Sequence, residues 1–123
     1  MRTLVRTGQG ITAVVLLFMI FDGVIHLLRI APVVDAFREL GYPLGTAAPL
    51  GVVEIACVAL FCIPSTRVVG AVLLTAYFGG AIATQLRVGA GWFPMLFPLL
   101  LAALLWGGLS LYDGRVRNLV VER

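Results

Sequence analysis

The chain has 123 residues, of which 61% are hydrophobic and 12% are charged, and its mean hydropathy is +1.07. A soluble domain of this size must cover a large surface with polar groups, and this chain contains too few of them. The basic residues, all arginine, leave a net charge of +3, but they stand near the ends of apolar segments rather than in one run. A nucleic-acid partner is therefore not expected.

Four apolar segments have the length of about 20 residues that a helix needs to cross a bilayer. Their predicted bounds are 8–30, 47–63, 67–86 and 92–112. The first segment resembles a signal peptide, but it is long and contains Asp22 and His26, so we expect it to stay as a membrane helix. The predicted fold is all-α and integral to the membrane, a four-transmembrane-helix bundle forming a single domain over residues 1–123.

The longest connection, residues 31–46, is predicted to contain a short helix of its own. Pro32 suits the first turn of a helix, and Gly41 suits its C-terminal end. The apolar face of this helix consists of Val33, Val34, Phe37 and Leu40, and its polar face of Asp35, Arg38 and Glu39. This pattern is typical of an amphipathic helix in the membrane interface, serving as a spacer or as a lid.

The distribution of arginine predicts the orientation, because cytoplasmic loops carry the excess of Arg and Lys. One side is predicted to carry both termini and the joint between the second and third helices, with Arg2, Arg6, Arg67, Arg115, Arg117 and Arg123. The opposite side is predicted to carry Arg29, Arg38 and Arg87. Both termini are therefore predicted to lie in the cytoplasm.

The third predicted helix carries small residues at every fourth position: Ala71, Thr75, Gly79 and Ala83. In lipid, small residues let helix backbones approach closely and gain van der Waals contact. Packing inside the bundle is the favoured use of this stripe. A homodimer interface is the alternative, and the sequence leaves it open.

Polar residues inside the predicted spans indicate a site, because a charge at the bilayer centre costs about 2.5–3.5 kcal/mol. At about 1.5 Å per residue, Asp22 and Glu54 both lie about 10–12 Å below the outer ends of their helices. Asp22, His26 and Arg29 share one helical face. We expect Asp22, His26 and Glu54 to be catalytic, as acid–base groups. The expected ligand-binding residues are Arg29, Tyr77, Thr84, Gln85 and Arg87.

A purely structural role for the same residues is the alternative. Asp22 would then hydrogen-bond to His26, and Glu54 would pair with Arg29 or Arg87 between helices. Each contact taken alone is more typical of helix packing than of a site. The coincidence of all of them in one layer favours the site.

No metal is expected. The chain has a single histidine, and a single imidazole beside two carboxylates is a weak ligand set. Cys57 and Cys62 are five residues apart, so a helix turns them away from each other, and they do not form a CxxC motif. We interpret them as small apolar packing residues.

Stretches along nearly the whole chain carry a family resemblance. Residues 21–28 read FDGVIHLL, residues 50–54 LGVVE, residues 63–71 IPSTRVVGA, and residues 74–87 LTAYFGGAIATQLR. Together they resemble the DoxX-like family of small four-helix bacterial membrane proteins, most specifically in the stretch from Tyr77 to Arg87. Gln85 stands where relatives often have His. The resemblance implies the same fold in a bacterial cytoplasmic (inner) membrane.

The family is linked to quinone-dependent thiosulfate oxidation and to redox homeostasis, so the resemblance allows a quinone as the one cofactor. The chain itself has no haem-ligand pair, iron–sulfur cysteine set or nucleotide-binding motif. The favoured hypothesis is a pocket that binds, and by acid–base chemistry transforms, a lipophilic small molecule from the bilayer. The alternatives are a quinone-linked accessory that docks a partner oxidoreductase, and a non-catalytic scaffold or transport component.

Overall fold

The computed structural model describes residues 2–120, and this part of the chain is helical without any strand. The helices are α1 (Arg2–Leu28), α2 (Ala31–Leu40), α3 (Ala47–Cys62), α4 (Arg67–Arg87), α5 (Trp92–Tyr112) and α6 (Gly114–Val120). Two single 3₁₀ turns, Leu44–Thr46 and Pro64–Thr66, lead directly into α3 and α4. Arg123, which the predicted orientation counts, lies outside the described residues.

The bundle is built from α1, α3, α4 and α5, which with the turns before α3 and α4 are long and apolar enough to cross a membrane. Helix α1 packs against α3 and α5, and α4 packs against the same two helices. The core between them includes Val15, Met19, Phe61, Leu74 and Leu105. Large apolar side chains such as Leu17 and Leu99 stay exposed on the outside, as lipid contact requires. The predicted four-helix membrane bundle is confirmed.

Helix α1 differs at both ends from the predicted span. It begins at Arg2, because helical hydrogen bonding continues into the polar residues that precede the apolar run. It ends at Leu28, two residues early, because Arg29 adopts the left-handed region at φ 51°. Arg29 therefore lies beyond the end of the helix that carries Asp22 and His26, and its side chain is exposed.

The amphipathic helix predicted between the first two spans is α2. Gly41 ends it in the left-handed conformation at φ 78°, which glycine adopts without steric cost. Val33 and Phe37 are buried against Ala47, whereas Val34 and Leu40 are only half-buried. The apolar contacts of α2 are with residues at one end of α1 and of α3, so α2 covers that end of the bundle.

Helices α1 and α3 touch through their backbones at Gly23 and Gly51. A Cβ atom at Gly51 would lie 2.7 Å from the carbonyl oxygen of Gly23 and 3.1 Å from Cβ of His26. No larger residue fits at this crossing, since close approach in lipid depends on small residues. The crossing brings the α1 residues that flank Gly23 against the α3 turn that follows Gly51.

The end of the bundle opposite α2 is rich in arginine, and we call it the arginine end. It carries Arg2, Arg6, Arg67, Arg115 and Arg117, and some of these side chains bind the C-terminal turns of helices. Arg67 Nε donates to the carbonyl of Phe61, at 3.1 Å, in the last turn of α3. Arg117 donates to the carbonyls of Ser110 and Leu111, at 3.0 Å each, in the last turn of α5. These cations satisfy carbonyl groups that lack a helical partner and offset the negative end of the helix dipole.

Helix α6 was not predicted, because its seven residues are too short and too polar to give an apolar signal. Asp113, at the junction of α5 and α6, is buried and accepts a hydrogen bond of 2.9 Å from Arg115 Nη2. The same guanidinium nitrogen donates to the carbonyl of Pro64, at 3.1 Å. Arg115 thus connects the end of α5 to the joint between α3 and α4.

The stripe of small residues on α4 packs inside the bundle over only half of its length. Ala71 is buried, and Thr75 Oγ1 accepts a hydrogen bond of 2.7 Å from Trp106 Nε1 on α5. Gly79 and Ala83 are exposed. The favoured use as intra-bundle packing therefore holds for the half nearer the arginine end.

Replacement of Gly51 tests the close helix crossing. We expect Gly51→Ala to lower the free energy of unfolding in detergent by about 1–3 kcal/mol, because the new methyl group meets the backbone of α1. Gly79→Ala is the control, since a Cβ there meets nothing within 4 Å, and alanine favours helix more than glycine does. Equal unfolding free energies for the two variants would contradict the crossing.

The Asp113–Arg115 pair predicts a pH-dependent effect on stability. Hydrogen bonds from Arg115 hold the pKa of the Asp113 carboxyl below its ordinary value, so the pair stabilises the fold above about pH 4 and loses that effect as the pH falls through the lowered pKa. We expect Asp113→Asn to lower the melting temperature at neutral pH and to approach wild type in acid. A difference that is constant with pH would contradict this, and Asp35→Asn, at an exposed pair on α2, is the control.

Candidate functional site

A cluster of Asp22, His26 and Glu54 lies at the end of the bundle that α2 covers. Each residue offers one polar atom, and these atoms all lie within 4.8 Å of one another. The Gly23–Gly51 crossing brings them together, because Asp22 and His26 flank Gly23 on α1 and Glu54 lies one turn beyond Gly51 on α3. The structure therefore brings together the three residues predicted to be catalytic, and their chemical role stays a prediction.

Glu54 is fully buried, with 0% of its surface exposed. Its Oε1 accepts a hydrogen bond of 3.1 Å from the hydroxyl of Tyr77 on α4. Its Oε2 is also buried, and no donor among residues 2–120 bonds to it. The alternative in which Glu54 pairs with Arg29 or Arg87 is wrong, since among the described residues its hydrogen-bond partner is a tyrosine and neither arginine bonds to it.

His26 is held in place by its own helix. Its Nδ1 lies 2.7 Å from the backbone carbonyl of Asp22, and because a carbonyl only accepts, Nδ1 must carry the hydrogen. In the neutral imidazole Nε2 then carries the lone pair and can accept a proton. The Asp22 carboxylate lies 3.5 Å from Nδ1, and its side chain is 29% exposed. The ring also packs edge-on against Phe37, with centroids 5.6 Å apart.

A cavity of about 410 Å³ lies next to this cluster, beneath α2. Its size falls in the range of pockets that hold small molecules. Most of the surface is apolar, and the carboxyl and imidazole groups form one polar part of it. The lining consists of Asp22, His26, Ala36, Phe37, Leu40, Tyr42, Leu50, Tyr77, Gly80, Ala81, Thr84 and Gln85.

Two polar contacts join the covering segment to α4. Thr84 Oγ1 donates to the carbonyl of Gly80, at 2.8 Å, so the 2.6 Å contact with Tyr42 is one in which the Tyr42 hydroxyl donates. The guanidinium of Arg87 donates to the carbonyl of Leu40, in the last turn of α2. Helix α2 is therefore bound to α4 at its C-terminal end and to α1 and α3 by its apolar face.

The predicted ligand-binding residues divide into three groups. Tyr77, Thr84 and Gln85 line the cavity. Arg87 lies outside the lining and binds the end of α2 instead, and Arg29 is exposed beyond the end of α1. The structure does not place the two arginines in the cavity lining, and their role in ligand binding stays a prediction.

Sequence reasoning missed two aromatic residues of the cavity, Phe37 and Tyr42. Phe37 was assigned to the apolar face of α2, and that face indeed turns inward. Tyr42 directly follows the left-handed Gly41, which reverses the chain at the end of α2 and directs it back over the cavity. The Gly41-Tyr42-Pro43 turn was the available signal for this reversal.

The comparison with protein families gives a match between the DoxX-like family and residues 10–108. The chain belongs to the DoxX-like family. The matched range contains the whole cluster and every residue that lines the cavity. Neither the comparison with curated proteins nor the comparison with solved structures finds a match. Together with its four apolar spans, family membership makes this DoxX-like chain a multi-pass membrane protein.

Removal of the Tyr77 hydroxyl tests the interhelical bond to Glu54. We expect Tyr77→Phe to lower the free energy of unfolding by about 1 kcal/mol, a typical value for a hydrogen bond between membrane helices. The same loss should be absent in a Glu54→Leu background, where no acceptor remains. Tyr112→Phe, which keeps a ring that packs on Arg67, is the control. A loss that is the same in both backgrounds would argue against the bond.

Proposed function

We propose that this DoxX-like protein binds a lipophilic small molecule in the cavity beneath α2 and transforms it by acid–base chemistry at Asp22, His26 and Glu54. One observation carries the proposal. A fully buried carboxyl group, with one oxygen lacking a partner among the described residues, lies beside an Asp–His pair at the polar part of an apolar cavity. Ionisable groups inside membrane helices are costly, and they are therefore candidates for a functional role.

The apolar lining supports a ligand with a large apolar body. Side chains such as Phe37, Leu40 and Leu50 offer it little besides van der Waals contact and exclusion of water. Such a molecule partitions into the bilayer, so the membrane supplies it to the cavity. The polar part then contacts only one end of the ligand, which fixes its orientation.

The cluster supports proton transfer as the chemistry. His26 is oriented by its Nδ1 bond to its own helix, so Nε2 is the ring atom that exchanges a proton. The carboxyl groups of Asp22 and Glu54 are a second and third acid–base group beside it. Isomerisation, cyclisation and epoxide opening require proton transfer without a metal or a nucleotide.

The unpartnered oxygen argues against a purely structural role for Glu54. A contact that only held α3 to α4 would use a donor for each carboxylate oxygen, because an unsatisfied buried acceptor costs about 1–3 kcal/mol. Tyr77 bonds to one oxygen, and the other oxygen has no hydrogen-bond partner among the described residues. A site that tolerates this cost is more consistent with function than with helix packing.

The proposed site is in the outer half of a bacterial cytoplasmic membrane, with both termini in the cytoplasm. The distribution of charge supports this orientation, since Arg67, Arg115 and Arg117 all lie at the arginine end. Cytoplasmic ends of membrane helices carry the excess of positive residues. The cavity lies at the opposite end, beneath α2.

Filling the cavity tests the binding proposal. Ala81 lines the cavity, whereas Ala83, two residues along α4, is exposed on the outside. We expect native mass spectrometry of gently extracted protein to find a lipophilic molecule on wild type and on Ala83→Phe. Ala81→Phe should retain at least about tenfold less, equivalent to about 1.4 kcal/mol. Equal retention by the two variants would overturn the assignment of the cavity.

The proposed acid–base reaction is tested with the ligand that mass spectrometry identifies. Its conversion is measured in single turnovers at a saturating concentration of that ligand. Glu54→Gln should convert it at least about 100-fold more slowly, because general acid–base catalysis contributes about 10²–10⁴ in rate. Asp35→Asn, on the exposed face of α2, should convert it at the wild-type rate. Binding by wild type without conversion would overturn the chemistry and leave the binding proposal in place.

A further inference from the structure

The ionisable groups at the cavity are unbalanced in charge. Asp22 and His26 line it, and Glu54 lies directly beside them. No arginine is among the lining residues of the described chain, and the sequence contains no lysine. Arg87, the arginine that contacts the covering segment, donates to the carbonyl of Leu40 rather than to a carboxylate.

Asp22 is the acidic residue that lines the cavity, and no lining arginine offsets the negative charge of its carboxylate. Glu54 is fully buried behind it and is not among the lining residues. In a space of low dielectric, an uncompensated charge is costly, and a ligand of opposite charge offsets that cost. The groups facing the cavity therefore favour a cation over a neutral molecule and a neutral molecule over an anion.

Three aromatic side chains that line the cavity fit the same kind of ligand. Phe37 and Tyr42 lie in the covering segment, and Tyr77 lies on α4 below it. Aromatic rings attract ammonium groups by about 0.5–2 kcal/mol, the larger values applying where water is excluded. The remaining lining, including Leu40 and Leu50, is aliphatic and suits a hydrocarbon body.

We propose that the ligand is a lipophilic amine, bound as its ammonium ion, with the charged nitrogen on the Asp22 carboxylate and the apolar body in the rest of the cavity. This inference rests on the proposed function and names its class of ligand. Aliphatic amines carry a positive charge at neutral pH, as the lysine side chain does with a pKa of about 10.4. Asp22 is the direct contact because its side chain is partly exposed in the cavity, whereas Glu54 is fully enclosed.

Fatty acids, phosphate-bearing lipids and neutral quinones fit this charge distribution less well. A carboxylate or phosphate group would place a further negative charge beside the Asp22 carboxylate. A quinone would gain hydrogen bonds at its oxygens but no ion pair. The cavity therefore distinguishes ligands by charge before it distinguishes them by shape.

Three probes of matched size test the charge preference in protein held in lipid nanodiscs. They are phenylbutyl dimethylamine, its carbon isostere in which a CH group replaces the nitrogen, and phenylpentanoate. We expect calorimetry to give a dissociation constant for the amine at least about tenfold lower than for the isostere. Phenylpentanoate should bind more weakly than both.

Variants at carboxyl groups inside and outside the cavity complete the test. Asp22→Asn should remove most of the preference for the amine over the isostere, and Asp35→Asn should leave that preference unchanged. If the isostere binds to wild type as tightly as the amine, or the anion binds best, the charge inference fails and the proposed function stands. If none of the probes binds, both fail. The three dissociation constants on wild type test the charge preference even where a variant does not fold.

Discussion

The backbone contact between Gly23 on α1 and Gly51 on α3 is the constraint on which the rest of the structure depends. It fixes the rotation and depth of two helices whose surfaces are otherwise almost uniformly apolar. Asp22 and His26 meet Glu54 only because this crossing sets the helices in register. Packing at the opposite end follows the same rule, since Gly8 on α1 lies against Gly108 on α5 and Gly70 on α4 lies against Phe61 on α3.

Polar contacts in this protein have two distinct roles, one at each end of the bundle. At the arginine end, guanidinium groups satisfy the last carbonyls of α3 and α5, and each contact is local and complete. At the cavity end, Tyr77 is the one described residue that bonds to Glu54, and the Asp22 side chain is partly exposed. The first arrangement stabilises helix ends. The second leaves a carboxyl oxygen of Glu54 without a hydrogen-bond partner among the described residues.

The spans, the amphipathic helix and the polar layer could be predicted from the sequence, because each follows from the residues of one segment. Length and hydropathy define the spans, Pro32 and Gly41 bound α2, and the rise per residue sets the depth of Asp22 and Glu54. The choice of partners could not be predicted. Whether Glu54 meets Tyr77 or an arginine depends on helix rotation, which an apolar surface without a polar stripe does not encode. The left-handed conformation of Arg29 could not be predicted either, because the sequence signals this conformation mainly through glycine.

The bond between Glu54 and Tyr77 joins residues that the ribosome delivers at different times. Glu54 on α3 is synthesised before Tyr77 on α4, so the carboxyl group exists in the growing chain before its hydroxyl partner does. The covering helix α2 is likewise synthesised before Arg87, the last residue of α4, which donates to the carbonyl of Leu40 in the last turn of α2. The cavity is therefore complete only when α4 has joined the bundle. Until then Glu54, which is buried in the folded protein, lacks the hydroxyl group that bonds to it.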